Sequence, residues 1–91
     1  MKEKVLTINN HAGIHCRPLS VIMGAVNECP DSSFKLITPN GDSELTSILE
    51  ALSLCIQHKD TVTLQVTGGD EDAVLKKIGD LFEYEFDFPP Q

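Results

Sequence analysis

Basic residues are scarce in this chain, and aromatic residues are scarcer still. The 91 residues contain seven lysines and arginines against fourteen aspartates and glutamates, so the formal net charge is −7. Arg17 is the only arginine, tryptophan is absent, and Tyr84 is the only tyrosine. Nucleic acids and anionic membrane surfaces are both bound through clustered basic side chains. The composition therefore argues against both classes of partner, although it leaves room for a small local anion site.

Cysteines and long apolar runs are also few. Cys16, Cys29 and Cys55 form an odd set without Cys-x-x-Cys spacing, which is not the pattern of a disulfide framework. The longest apolar stretch, residues 19–26, is far too short to span a bilayer, and the first ten residues lack the apolar core of a signal peptide. We therefore expect a cytoplasmic protein without membrane insertion. The length predicts a single domain over residues 1–91 with one hydrophobic core.

Hydrophobic periodicity predicts seven secondary-structure elements. Alternation predicts strands at residues 4–8, 34–38, 42–45 and 61–66, and helical spacing predicts helices after residues 16, 47 and 70. A hairpin turn is predicted at Asn40-Gly41. The order β-α-β-β-α-β-α predicts an α+β open-faced β-sandwich, in which three helices cover one face of a four-stranded, mostly antiparallel sheet.

The run Gly13-Ile14-His15-Cys16-Arg17-Pro18 brings a nucleophile and a cation to the start of the first helix. A helix N-terminus offers unpaired N–H groups and a partial positive charge, and is therefore a natural phosphate site. Arg17 adds a guanidinium whose geometry suits phosphate oxygens. The same positive field disfavours protonation of His15, and a neutral imidazole is a usable nucleophile. The chemistry suggests a histidine that carries a phosphoryl group, although a histidine and an arginine at this spacing are also common in loops.

These six residues resemble the active-site motif of the HPr family, the histidine-containing phosphocarriers of the bacterial sugar phosphotransferase system. The resemblance implies that His15 accepts a phosphoryl group from enzyme I and passes it to IIA domains of sugar permeases. Enzyme I would itself be phosphorylated by phosphoenolpyruvate. It implies that His15 and Arg17 are the catalytic residues and that Cys16 and Arg17 bind the phosphate. The protein would then be a stoichiometric carrier rather than an enzyme, with no cofactor and no metal.

The second predicted helix matches two further features of the family. Ser47 matches the regulatory serine, which the resemblance implies could be phosphorylated by an HPr serine kinase, and Ser47-x-x-Glu50 is also a helix capping box. Both roles remain open for Ser47. Ile48, Leu49 and Leu52 are predicted to bind partners, since an exposed apolar patch beside a reactive group is typical of a docking surface.

Two positions and the C-terminal segment depart from the family pattern. Cys16 replaces the usual Ala or Thr, Glu50 replaces Gly or Lys, and the chain from Tyr84 to Gln91 extends beyond the usual end of the family. A thiol beside Arg17 at a helix start favours the thiolate, so we expect Cys16 to react faster than Cys29 and Cys55, which are predicted to be buried.

Two other functions and a metal site are alternatives to the phosphocarrier. An HPr-like regulator without sugar transport would have the same motif, and a small ACT-like ligand-binding module would have a similar order of elements. A zinc site at His11, His15 and Cys16 is disfavoured, because Gly13 interrupts the helix that such spacing would need.

Overall fold

The order of elements predicted from the sequence is confirmed by a computed structural model of the chain. The structure describes residues 1–10, 13–14 and 16–84, with the side chain of Cys16 outside this description. The strands are β1 (Lys2–Thr7), β2 (Ser33–Thr38), β3 (Gly41–Ser43) and β4 (Thr61–Thr67). The helices are α1 (Cys16–Asn27), α2 (Ile48–Leu52) and α3 (Glu71–Glu83).

The four strands form one antiparallel sheet in the order β1-β4-β2-β3, so β4 lies in the interior although it is the last strand in the chain. Alternate residues of each strand face the helices. In β4 the buried residues are Val62, Leu64 and Val66, at 2%, 0% and 0% exposure, as the alternation predicted. The other face carries Val5 and Ile37, which are both exposed. Among the described residues, the helices cover one face of the sheet and leave the other face exposed.

The hydrophobic core lies between this sheet and the helices. The largest fully buried side chains include Leu19 and Ile22 of α1 together with Ile78 and Phe82 of α3, which follow the helical spacing read from the sequence. Gly79 of α3 approaches β1 so closely that a Cβ atom there would lie 3.3 Å from a methyl of Leu6. These contacts fix α1 and α3 against the sheet.

The predicted position of the hairpin turn between β2 and β3 was wrong by one residue. Thr38 pairs with Gly41, so Pro39 and Asn40 are the two turn residues and Gly41 already belongs to β3. The Thr38 hydroxyl accepts a hydrogen bond from the Asn40 N–H at 3.2 Å and donates one to the Gly41 carbonyl at 2.8 Å. These side-chain bonds favour a register that the Asn-Gly pair alone did not predict.

The start of α3 is joined to the N-terminus of the chain. The Glu71 carboxylate accepts a 2.8 Å hydrogen bond from the Gly68 N–H and lies 3.3 Å from the N-terminal ammonium. The bond from Gly68, followed by the interactions with the N-terminus, holds the pKa of Glu71 below its ordinary value. None of the helices in the described part of the chain is long and apolar enough to cross a membrane.

Candidate functional site

The segment that leads into the predicted phosphorylation site is closed by a short turn. The Gly13 N–H donates to the Asn10 carbonyl at 2.9 Å, and the Asn10 side-chain amide donates to the Gly13 carbonyl at 2.6 Å. Asn10 is fully buried, so its amide acts as an internal brace rather than as a surface group. Asn10 was not predicted to take part in the site, although an asparagine where a strand gives way to a loop is a turn signal.

A backbone hydrogen bond joins residues 13–14 to the part of the chain that follows α2. The Ile14 N–H donates to the Ile56 carbonyl at 3.0 Å, and both side chains are buried. Gly13 has φ +76°, and a Cβ atom there would lie 2.5 Å from the Ile56 oxygen. Only glycine fits this conformation and this close approach without a backbone shift. The entry to α1 and the exit from α2 are therefore fixed relative to each other.

The first turn of α1 presents an arginine and contains no acidic residue. Pro18 is buried in this turn and Arg17 is exposed. The unpaired N–H groups and the dipole of a twelve-residue helix give this end a partial positive charge, to which the Arg17 guanidinium adds. His15 precedes α1 directly in the sequence, but His15, His11 and the Cys16 side chain lie outside the described residues. The predicted roles of His15 and Cys16 therefore stay predictions.

Ser47 begins α2 as the sequence predicts, but the capping box is only half formed. The Ser47 Oγ accepts a 3.4 Å hydrogen bond from the Glu50 N–H. The Glu50 carboxylate does not return to Ser47; its Oε1 atom accepts a 3.3 Å bond from the Glu44 N–H. The Glu44 N–H thus binds the carboxylate that would accept from the Ser47 N–H in a complete capping box.

The three predicted partner-binding residues of α2 differ in exposure. Leu49 is 79% exposed and Ile48 is 37% exposed, whereas Leu52 is partly buried and packs against the core. The predicted apolar patch is thus present on α2, with Leu49 as its most prominent side chain. Leu52 contributes mainly to the packing underneath.

The prediction that Cys55 is buried was wrong. Cys55 is exposed and adopts a left-handed conformation with φ +50°. The helical spacing suggested an inward-facing residue, but α2 ends at Leu52 and the chain turns before it reaches Cys55. Cys29 is partly buried at the edge of the core.

Charged side chains line most of an open cleft between the β2–β3 hairpin and α2. The cleft has a volume of about 410 Å³ and is lined by Lys35, Asp42, Ser43, Glu44 and Glu50. The Lys35 ammonium lies 3.3 Å from the Asp42 carboxylate. In the described parts of the chain, no group of three or more His, Cys, Asp or Glu side chains is arranged to hold a metal ion.

Comparison with known proteins agrees with this architecture. The family described as "PTS HPr component phosphorylation site" matches residues 2–84. The chain is 34% identical to the phosphocarrier protein HPr of Mycoplasma pneumoniae over 84 residues, which cover 91% of this chain and 94% of that protein. It is 30% identical to the HPr of Treponema pallidum, with 96% and 98% covered.

A solved structure shares the fold over nearly the same length. The crystal structure of HPr-C-His from Thermoanaerobacter tengcongensis superposes with a TM-score of 0.82 at 29% identity, covering 91% of this chain and 92% of that one. The motif from Gly13 to Pro18, the open-faced sandwich and these matches lead to one conclusion: the chain belongs to the HPr family of phosphocarrier proteins.

Proposed function

We propose that this chain accepts a phosphoryl group on His15 from phosphorylated enzyme I and passes it to IIA domains of sugar permeases. The observation that carries the proposal is the start of α1, where Arg17 is exposed and no acidic residue occupies the first turn. His15 directly precedes this helix in the sequence. The family match supports the general role, while the site and the partners are our assignments.

The chemistry requires a neutral imidazole and a place for negative charge. The role requires a neutral His15, in which one ring nitrogen keeps the lone pair that attacks phosphorus; the positive end of the helix that follows it in the sequence would favour this form. A nitrogen–phosphorus bond forms as the bond to the donor on enzyme I breaks, and the exchange runs in the same way towards the acceptor. The phosphoryl group carries up to two negative charges, which Arg17 and the N–H groups of α1 would stabilise.

The turn before α1 supports this role by limiting movement. The Gly13 and Ile14 bonds to Asn10 and Ile56 fix the backbone on the N-terminal side of His15. A carrier must meet two partners with the same reactive atom, and a fixed entry reduces the entropy lost in each encounter. Ile48 and Leu49 supply an apolar contact surface for these partners.

The test is phosphorylation by enzyme I with labelled phosphoenolpyruvate. The unaltered chain should gain an acid-labile, base-stable phosphate, and His15→Ala should gain none while it keeps the same melting temperature. His58→Ala is the matched control, because His58 is exposed in a turn and should not affect labelling. Acid-labile phosphate on the His15→Ala variant would show that the assignment is wrong.

The remaining assignments follow from this proposal. A single domain over residues 1–91 that acts as a stoichiometric carrier in the cytoplasm fits transfer between two other proteins. The family match favours HPr over the ACT-like alternative. An HPr-like regulator would also be phosphorylated on His15, so transfer from the phosphorylated chain to a IIA domain is the measurement that separates it from a transport carrier.

A further inference from the structure

β1 forms one edge of the described sheet, and backbone groups along that edge point away from β4. Ile8 exchanges backbone hydrogen bonds of 2.9 and 2.7 Å with the loop before β4, so the alternation of an antiparallel ladder turns Thr7, Val5 and Glu3 outwards. The Thr7 N–H confirms this direction, because it donates to the Glu83 carboxylate at 3.1 Å. Within the described part of the chain, Val5 and Glu3 therefore present N–H and C=O groups to any additional strand. We call this row the β1 edge.

The two sides of the β1 edge differ in chemistry. Leu6 is fully buried and faces the helices, so Lys4 and Lys2 lie on that side, where the Lys2 ammonium is 3.8 Å from the carboxylate of Asp72. On the open side of the sheet, Val5 is 64% exposed. A strand added here would therefore meet ammonium groups on the helix side and an apolar side chain on the open side.

α3 brings the chain to one end of the β1 edge. The helix runs alongside β1, because Glu71 near its start lies 3.3 Å from the N-terminal ammonium and Glu83 at its end binds the Thr7 N–H. Tyr84 follows with an extended backbone, at φ −71° and ψ 141°. A strand that continues from Tyr84 and returns towards Met1 would be antiparallel to β1.

The sequence after Tyr84 has the pattern of such a strand. Residues 85–91 read EFDFPPQ and lie outside both the described residues and the family match, which ends at residue 84. Phe86 and Phe88 alternate with two acidic residues, which is the spacing of a strand with one apolar and one charged side. Two prolines follow, and proline is tolerated in a sheet only at edges and strand ends.

We propose that residues 85–88 form a fifth strand on the β1 edge, antiparallel to β1, with Phe86 opposite Val5 and Asp87 opposite Lys4. The aromatic rings cover Val5 on the open side, and the Asp87 carboxylate lies beside the Lys4 ammonium on the helix side. Phe86 exchanges both ladder hydrogen bonds with Val5. The added strand closes the β1 edge to strands of other molecules.

Charge and the prolines favour this register over its neighbours. A slip of one residue would turn the aromatic rings to the lysine side, and in one direction it would also place Asp87 opposite Glu3, where like charges are destabilising. A slip of two residues could put Pro89 in place of Asp87 opposite Lys4. In the proposed register the Pro89 nitrogen points away from β1, so its missing N–H leaves no ladder bond unmade.

The connection through α3 has the topology that the fold already uses. β1 and β2 both pair antiparallel with β4, so they are parallel to each other, and the crossover between them through α1 skips one strand. The crossover from β4 through α3 to the proposed strand also joins parallel strands and skips one, β1. It starts from a strand of opposite direction and crosses the sheet the opposite way, so both crossovers have the same hand. Parallel crossovers within one sheet are almost always right-handed.

Nuclear magnetic resonance of the full chain tests the pairing. Opposite residues without ladder bonds have Cα atoms about 4.5 Å apart, so the Hα protons of Lys4 and Asp87 should give a strong cross-peak. The Val5 N–H should exchange with solvent at least about tenfold more slowly than in Phe86→Pro, which lacks the N–H that bonds the Val5 carbonyl. Asp87→Pro is the matched control. Since the Asp87 N–H points outwards, its loss should change the exchange rate of Val5 less than about threefold.

Slow exchange at Leu64 of β4, which is fully buried, shows that each variant is folded. Equally fast exchange of the Val5 N–H in the unaltered chain and in Phe86→Pro would overturn the proposal, and so would an equal loss of protection in Asp87→Pro. A cross-peak of the Lys4 Hα with Phe86 in place of Asp87 would refute the register. Contacts between the β1 strands of two copies, in a mixture of labelled and unlabelled chains, would assign the β1 edge to a second chain instead.

Discussion

Replacing Gly13 by alanine tests the connection between the entry to α1 and the exit from α2. An alanine Cβ would lie 2.5 Å from the Ile56 oxygen and 2.9 Å from the Gln57 Cα, and both neighbours are backbone atoms that cannot rotate away. The backbone at φ +76° also costs a side-chain-bearing residue about 1–2 kcal/mol. If the segment shifts to relieve the overlap, the 3.0 Å Ile14–Ile56 hydrogen bond is weakened, at a further cost of about 1 kcal/mol.

The net loss is reduced because alanine also restricts the unfolded chain. That restriction recovers about 0.4–1 kcal/mol, so we expect Gly13→Ala to lower the free energy of unfolding by about 1–2.5 kcal/mol. For a domain of this size the melting temperature should fall by about 4–20 °C. Gly24→Ala is the matched control. Gly24 lies within α1 with no heavy atom within 4 Å of an added Cβ, so its replacement should stabilise the protein by about 0.5–1 kcal/mol.

Urea unfolding followed by far-UV circular dichroism measures both variants, since the chain has no tryptophan to report by fluorescence. A Gly13→Ala variant within about 0.5 kcal/mol of the unaltered protein would show that the turn accommodates a side chain, and the reasoning would fail. Phosphorylation by enzyme I should also slow in Gly13→Ala but not in Gly24→Ala.

Three further predictions concern the thiols, acid stability and Ser47. Cys55 should react with a thiol reagent at least about tenfold faster than Cys29, because the former is exposed and the latter is partly buried, as mass spectrometry of each peptide would reveal; equal rates would contradict the exposures. The folded protein holds the Glu71 pKa below its ordinary value, so the unfolded chain binds that proton first and the stabilisation is lost as pH falls through the folded pKa. Glu71→Gln should therefore flatten the decline in stability as the pH falls below the ordinary glutamate pKa of 4.5, and an unchanged slope would refute this. A phosphate on Ser47 would lie on the same helix turn as Glu50, whose negative charge would repel it. Glu50→Lys should therefore improve both the phosphorylation of Ser47 by an HPr kinase and the thermal stability of the phosphorylated protein. Efficient modification of the unaltered chain with a clear rise in melting temperature would contradict this.

Sequence patterns predicted the parts of the fold that depend on regular periodicity. The alternation in β4 and the helical spacing of α1 and α3 identified which side chains are buried, because each pattern spans enough residues to define a face. The family motif identified the candidate site from Gly13 to Pro18. Features in which two N–H groups compete for the same carboxylate were less predictable. A serine and a glutamate three residues apart predicted a reciprocal cap, but the Glu50 carboxylate accepts a hydrogen bond from the Glu44 N–H instead.

Short elements were the other source of error. The spacing around Cys55 matched a helix face, yet α2 ends at Leu52, and the exposed left-handed residue that follows has no signature in a periodic pattern. Asn10, by contrast, carried a local signal, because an asparagine at the end of a strand favours a turn and its bond reaches only three residues along the chain. The exposure of Cys55 depends on where α2 ends, which local propensity does not encode.

The strand order has a consequence for how the chain acquires its structure during synthesis. β1 is made first, but β4, its neighbour in the described part of the sheet, is the last of the four strands to be made, with Lys2 opposite Val66. β2 also pairs with β4, so a nascent chain that stops before Thr61 holds a short β2–β3 hairpin and an unpaired N-terminal strand. Closing such distant pairs is slow, and it demands that the whole sheet form together. The domain should therefore fold in one late cooperative step. Until that step, the Ile56 carbonyl is not in position to accept the hydrogen bond from the Ile14 N–H.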